Sequence, residues 1–320
     1  MALRTGNLIM DLFKRSSKWK NIEGEDFEHF RNILLLIADD IVEICKKNNL
    51  KYCLAYGSAL GAVRHRGFIP WDDDVDFFMP REDYEKFMEI MQKEKSDKYY
   101  VSSVSKGDKI AAPTCHVRLK NTYYINYGDL ILTANEPDNM RGIYIDIAPL
   151  DNAPNNDVVR YCQGICCLFL LFAANCVIQL KTIKYLQNDG VVFSKEEKKQ
   201  LRLKKILGRF FSMVPEYQWV TLYDKVTSMS HNNQSKYVTC YSGYKKISKS
   251  VYKRADIVPF TIGLFEGSSN KQIIAKGAIY GKNFNIFICL LVLLRDLMLK
   301  KENNFKYFFE GYNEYFKRTN

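Results

Sequence analysis

Four aspartates crowd into five positions, Asp72, Asp73, Asp74 and Asp76, with only Val75 between them. In an extended segment side chains alternate, so Asp72, Asp74 and Asp76 share one face while Asp73 and Val75 take the other. Carboxylates held this close repel one another unless a cation neutralises them, and an all-oxygen ligand set suits Mg²⁺ or Mn²⁺. An acidic turn that binds nothing is the alternative reading of the run by itself. A calcium EF-hand is excluded, because its sixth and twelfth positions, Gly and Glu, are here Phe77 and Asp83. Upstream, Gly57-Ser58 follows a short apolar run and precedes small residues, an order whose backbone N–H groups and helix N-terminus can cradle a phosphate. A phosphate turn followed by a strand that presents paired acids points to phosphoryl or nucleotidyl transfer. A further carboxylate, Asp146, stands between Ile145 and Ile147, where an unpaired charge is costly; it is the candidate third metal ligand. Asp151 reads as a turn residue.

These groups need elements to hold them. Apolar residues at 27, 30, 33, 34, 37, 41 and 44 follow one helical face, so an amphipathic helix spans 27–47. Residues 52–56 read as a buried strand that turns at Gly57-Ser58 into a small-residue helix over 59–64. A loop with Gly67 and Pro70 leads to a second strand over 74–79, ended by Pro80, and then a helix over 81–93. Further strands are expected at 99–104, 115–119, 123–127 and 142–148, which makes this half mixed α/β. Beyond Pro154 the pattern turns helical, over 158–181, 195–211 and 216–228, and returns to strand at 237–241 and 257–265. The expected organisation is an N-terminal segment 1–24, a catalytic core 25–150 and a helical extension 151–320 packed on it.

At 320 residues, 47% hydrophobic and 14% aromatic, the chain can bury a full core. Its net charge of +11 suits nucleic acid, an anionic membrane surface or phosphorylated small substrates alike. The densest basic run, 195–205, reads as the solvated face of a helix. Nine cysteines are an odd number, no cleavable apolar leader precedes them, and no Cys-x-x-Cys pair suggests zinc, so a reducing, cytoplasmic compartment is expected. Two apolar stretches, 164–178 and 284–294, are short for a bilayer span of about 20 residues. They read as buried helices, with contact at the inner face of the cell membrane as the alternative.

The run from Gly57 to Asp76, GSALGAVRHRGFIPWDDDVD, closely resembles the signature of the LicD family, which includes bacterial phosphorylcholine transferases and relatives of the fukutin proteins. The resemblance continues through Met79-Pro80-Arg81-Glu82-Asp83-Tyr84, thins until Ile145-Asp146-Ile147-Ala148-Pro149-Leu150-Asp151, and touches again at Phe265-Glu266-Gly267. It implies an α+β, nucleotidyltransferase-like mixed-sheet core that moves a substituted phosphate from a CDP-alcohol, CDP-choline favoured, to a glycan or lipid-linked saccharide acceptor. Ribitol phosphate or glycerol phosphate is the alternative cargo, and a non-catalytic membrane-associated scaffold the alternative of another class. The likeness carries metal binding to Asp74 and Asp76, with Asp72 as a further candidate and Asp146 as the downstream acid, either ligand or base. Gly57 and Ser58 inherit the phosphate turn. Arg64, Arg66, Arg118 and Lys120 are candidates for clamping phosphate oxygens, or else surface charges. His65 and His116 are candidate proton carriers. Tyr56, Phe68 and Trp71 are candidates for an aromatic cage around a quaternary ammonium. A nucleic-acid partner is disfavoured, since no RNA-binding module is recognisable. The family's ending, a Tyr-Gly segment followed by proline and a basic tail, is matched only by Tyr280-Gly281.

Overall fold

A computed structural model describes residues 6–16, 22–126, 129–132, 134, 141–240, 250–257 and 265. The elements before the acidic run are helix α1 (Gly6–Phe13), helix α2 (Glu25–Lys47), strand β1 (Cys53–Leu54) and helix α3 (Tyr56–His65). Then come strand β2 (Asp76–Pro80), helix α4 (Arg81–Glu94), strand β3 (Tyr99–Ser102), strand β4 (Cys115–Leu119), helix α5 (Asp129–Leu132) and strand β5 (Tyr144–Ala153). Three long helices follow, α6 (Asp157–Asn188), α7 (Lys195–Phe211) and α8 (Glu216–Thr227), and the chain returns through β6 (Tyr237–Thr239), β7 (Val251–Lys253) and helix α9 (Arg254–Ile257).

The seven strands make one mixed sheet in the order β1-β2-β5-β4-β3, with β6 and β7 added beyond it through β5. The fold is therefore α+β, as the sequence pattern requires. Strand β5 is the hub. Its first half runs parallel to β2, with Asp76 opposite Asp146, and antiparallel to β4, with His116 opposite Asp146. Its second half pairs antiparallel with β6, Asp151 opposite Thr239. Pro149 lies between the last β4 partner, Ile147, and the first β6 partner, Asp151, where the ladder asks for no donor on that side. That is why the strand runs to Ala153 instead of stopping at Ala148.

Helix α2 forms because Phe30, Leu34, Ile37, Ile41 and Ile44 repeat on one face, all buried, while acidic residues open it and Lys46-Lys47 close it, in line with its dipole. With α4 it packs on the sheet around Phe77, Phe87, Ile145 and Ile147, all fully buried. Helix α6 starts at Asn156, whose side chain accepts from the N–H groups of Val158 and Val159 at 2.9 and 3.1 Å. Helix α7 starts at a full capping box between Ser194 and Glu197. The two cross where Gly208 lies so near α6 that a Cβ would stand 2.6 Å from the Cys176 carbonyl oxygen.

One strand expectation fails. Residues 123–126 form no strand; Tyr124 donates one backbone hydrogen bond to Arg141 and lays its ring 4.8 Å from Phe30, so its aromatic character serves packing and not a ladder. Ile257 ends helix α9, and the strand before it is 251–253, where Val251 pairs with Thr239. Residues 258–264, Glu266-Gly267, Tyr280-Gly281 and the apolar stretch 284–294 lie outside the described residues. Strand β2 opens at Asp76, two residues later than the pattern suggests, and takes in Pro80.

Arg81, the first residue of α4, locks three layers together. It grips both oxygens of Asp151 at 2.6 and 2.9 Å and reaches Asp224 of α8 at 2.9 Å, while Ser105 bridges to the same Asp224. Burial works against its charge, but the two carboxylates outweigh that and hold the guanidinium firmly protonated. Asp151 is thus a structural anchor on a strand and not a turn residue. Removing one member of a buried ion network strands the others. Arg81→Met is expected to lower unfolding free energy by about 3–5 kcal/mol, read from urea denaturation.

Candidate active site around the acidic run

The site sits where β2 and β5 begin. Residues 72–75 precede β2 without regular structure, so strict alternation does not apply to them. In consequence Asp73 joins Asp72 and Asp74, with one ligand oxygen of each within 4.8 Å of the others, while Asp76 lies beside Asp146 across the parallel strands. The reading that turned Asp73 away is corrected by that irregular path. Hard, anionic oxygens at this density are a donor set for a hard divalent cation.

Gly57 and Ser58 form the other wall. A Cβ on Gly57 would stand 2.8 Å from Asp72 Oδ2, so the missing side chain is what lets the carboxylate approach the start of α3. Ser58, fully enclosed, accepts the backbone N–H of Asp76 on its Oγ at 2.9 Å, and the Ala55 N–H reaches the Asp76 carbonyl at 2.8 Å. The serine thus ties the first turn of helix α3, where Gly57 and Ser58 lie and not in a turn before it, to β2. Further along α3, Gly61 approaches the Gly67 carbonyl so closely that a Cβ would lie 2.3 Å from it, which folds the loop 66–72 back against the helix; Arg66 reverses the chain in the left-handed region at φ +59°.

Arg31 of α2 fastens that loop. Its Nη2 donates to the carbonyls of Ile69 and Asp72 at 2.8 and 2.9 Å, its Nε donates to Asp72 O at 3.1 Å, and its plane lies over Phe27 and Phe68. No feature of the sequence marked this residue.

Asp146 has its own supports. Thr114 Oγ1 donates to its Oδ1 at 2.9 Å, and His116 Nε2 lies 3.0 Å from the same oxygen. Arg118 Nη2 stands 2.7 Å from His116 Nδ1. A guanidinium only donates, so Nδ1 accepts and the imidazole proton sits on Nε2, directed at Asp146. Burial raises the Asp146 carboxyl, but His116, Thr114 and Arg118 outweigh it and hold it below the ordinary carboxylate value. Its neighbours go the other way. Asp74, reached by solvent yet walled by protein behind, is pushed up to about 7 by desolvation and then by Asp72, Asp73 and Asp146. Asp76 is also raised well above its ordinary value, by burial and then by Asp74 and Asp146. One permanent carboxylate therefore sits beside two reluctant ones.

Not every candidate comes to this centre. Arg118 is fully buried, donates to the Gly142 carbonyl and lies 4.3 Å from the Tyr144 ring; it acts on His116 and is not a phosphate clamp. Lys120 follows the end of β4 and donates to the Ser96 carbonyl at 2.6 Å, about 13 Å along the strand from His116. Arg64, His65 and Arg66 end α3, about 12 Å along the helix from Gly57. Desolvation and the charge of Arg64 push His65 down to about 4, so it is neutral at neutral pH. Trp71 is partly exposed in the turn that enters the acidic run. Phe68 is buried between Arg31 and Phe265, and Tyr56 packs edge-on against Phe78, so of the three cage candidates these two serve the core. Thr114 was missed, although Thr114, His116 and Arg118 alternate with apolar Cys115, Val117 and Leu119, the pattern of one polar strand face.

Residues 49–148 match the family described as LicD/FKTN/FKRP, nucleotidyltransferase domain. Over 67 residues the chain is 39% identical to the lipopolysaccharide cholinephosphotransferase LicD of Haemophilus influenzae, covering 21% of this chain and 25% of that protein. Over 82 residues it is 38% identical to an uncharacterized protein of Rickettsia prowazekii, 26% of this chain and 30% of the relative. An uncharacterized protein of Rickettsia typhi is 45% identical over 58 residues, 18% of this chain and 19% of its own length. The matches thus span less than a third of each relative.

Two outcomes follow from the geometry. Asp74 binds a proton in the folded chain that the unfolded chain releases near pH 4, so its contribution to stability is present below about 4 and lost as pH rises towards about 7. In chelator-treated protein, Asp74→Asn should therefore gain melting temperature over wild type across that window, and added Mg²⁺ should close the gap; a constant difference would contradict the repulsion. Arg31→Met, which frees the loop carbonyls, should weaken divalent-cation binding by about 10–100-fold in calorimetric titration.

Proposed function

We propose that the protein transfers a substituted phosphate, phosphocholine from CDP-choline, to a saccharide of a cell-surface glycan or its lipid-linked precursor, on the strength of the match of residues 49–148 to the LicD/FKTN/FKRP nucleotidyltransferase domain. The observation that carries this is the convergence of five carboxylates, Asp72, Asp73, Asp74, Asp76 and Asp146, on the turn at Gly57-Ser58 inside the matched segment. The name of the Haemophilus relative supports choline phosphate as the unit and a lipopolysaccharide as the acceptor class.

The donor set fits Mg²⁺ or Mn²⁺, held by Asp72, Asp74 and Asp76 with Asp73 or Asp146 as a further ligand. Such an ion, when bound, supplies positive charge to offset a diphosphate. The chain's own residues do the rest. The acceptor hydroxyl oxygen forms a bond to the phosphorus of the choline phosphate as the bond from that phosphorus to the CMP oxygen breaks. CMP leaves with the electron pair, and the hydroxyl proton passes to a carboxylate. Asp146 suits that last task, because the Nε2–H of His116 and the Thr114 hydroxyl keep it ionised and fixed in direction. Ser58 prevents the phosphate turn from drifting away from β2. The reaction belongs at the cytoplasmic face of the membrane, where CDP-alcohols and lipid-linked saccharides meet.

The test is thermal stabilisation of the purified protein by CDP-choline, CDP-ribitol, CDP-glycerol and ATP, each with and without Mg²⁺, beside Asp74→Asn/Asp76→Asn. A ligand at a hundred times its dissociation constant adds about 2.7 kcal/mol. CDP-choline is expected to stabilise only with the metal, and the double variant to lose both this and transfer activity by at least about 10²–10³-fold. Selective stabilisation by CDP-ribitol or CDP-glycerol would replace the cargo while keeping the chemistry. Silence toward every nucleotide in folded protein, with biological function intact in the double variant, would establish the scaffold instead.

A further inference from the structure

Helix α7 carries an apolar stripe on its outer side. Leu203, Ile206 and Phe210 recur at helical spacing, and Ile206 and Phe210 are 53% and 62% exposed. Along one flank of that stripe run Lys198, Arg202, Lys205 and Arg209, with Lys199 at its start and no acid beyond Glu197. The stripe does not end with the helix. Phe210 touches Phe211, whose ring centroid lies 6.0 Å from Phe169 and 5.9 Å from Phe172 of α6, both solvent-exposed. From there Ile165, 49% exposed, and Val158 continue the apolar face toward the start of α6. Between Arg160 and Lys181 helix α6 has no charged residue, and it is long and apolar enough to cross a membrane, yet 44% of its most apolar window is buried against the rest of the molecule.

We propose that the α6–α7 face is a docking surface for the headgroup region of an anionic lipid bilayer, on which α7 lies in the plane of the interface. The chemistry favours lipid over other occupants. A basic row beside large aliphatic and aromatic side chains is the composition of helices that lie in a membrane surface, where cations meet lipid phosphates and the apolar side enters the acyl boundary. A second copy seated face to face would set one row of cations against another. A span across the bilayer would expose to lipid the side of α6 that packs on α7 and α8, including the Lys181–Glu216 ion pair. The inference is independent of the transfer chemistry, because no residue of the acidic site takes part.

The experiment is flotation of the full-length protein with phosphatidylcholine vesicles and with phosphatidylcholine–phosphatidylglycerol vesicles, at low and high salt. The wild type is expected to float with the anionic vesicles, about tenfold or more preferred over the neutral ones at low salt, and to lose the preference at high salt. Ile206→Glu/Phe210→Glu, both on the exposed side and so expected to melt like wild type, should remain at the bottom. Lys198→Ala/Lys199→Ala/Arg202→Ala should lose the anionic preference, while Asp74→Asn/Asp76→Asn should float unchanged. The proposal is overturned if the wild type stays unbound with both vesicles, if the Ile206/Phe210 variant floats equally well, or if that variant instead splits a dimer that binds neither vesicle.

Discussion

Like charges do not stay together unless something holds them, and much of the geometry of this fold can be understood as the means of holding five carboxylates at the start of one helix. Each acid is fixed from a different direction. Asp76 and Asp146 are opposed by strand register, Asp72 is admitted by the bare Cα of Gly57, and Asp74 is carried by a loop that a helix grips by its carbonyls. The raised carboxyls of Asp74 and Asp76 reflect first their desolvation and then the repulsion that this arrangement retains. Asp146 escapes it because His116, oriented by Arg118, and the Thr114 hydroxyl lie on its other side.

The same constraint explains why β5 is central and long. A ten-residue strand carries Asp146 at a point paired on both sides, and its far end is anchored through Asp151 to Arg81 and α8. The helical layer is therefore not an independent attachment. Its helix α8 meets the sheet through the same buried cation that opens α4, so a shift of that layer would be felt at the end of the strand that presents the acid.

Much of this was legible in the sequence, for physical reasons that also set the limit. The helix at α2, the strand that leads into a small-residue helix and the three later helices could be read because burial periodicity and caps are local properties, although the helix opens at Tyr56 and takes in Gly57 and Ser58, which the residue pattern reads as a turn before it. The acids were legible by their density. What escaped depends on which distant segments become neighbours. His116 could be named as a proton carrier, but its contact with Asp146 follows from a register between strands some thirty residues apart. Arg118 looked like an accessible cation because nothing local says that the strand face it occupies is closed over. Asp73 was assigned outward by extending strand alternation into residues that take no regular structure. Arg31 gave no signal at all, since its partners are backbone carbonyls of another segment, which every residue possesses.

Arg31 also bears on modularity. The segment that matches the family runs from residue 49 to 148, yet the arginine that pins the loop leading into the acidic run belongs to the helix before it. An excised or transplanted 49–148 fragment would carry every acidic side chain of the centre and lack the clasp that sets the path of their loop. The recognisable domain is thus a smaller unit than the working one, and chimeras between relatives would have to exchange the preceding helix along with the signature to keep the two in register.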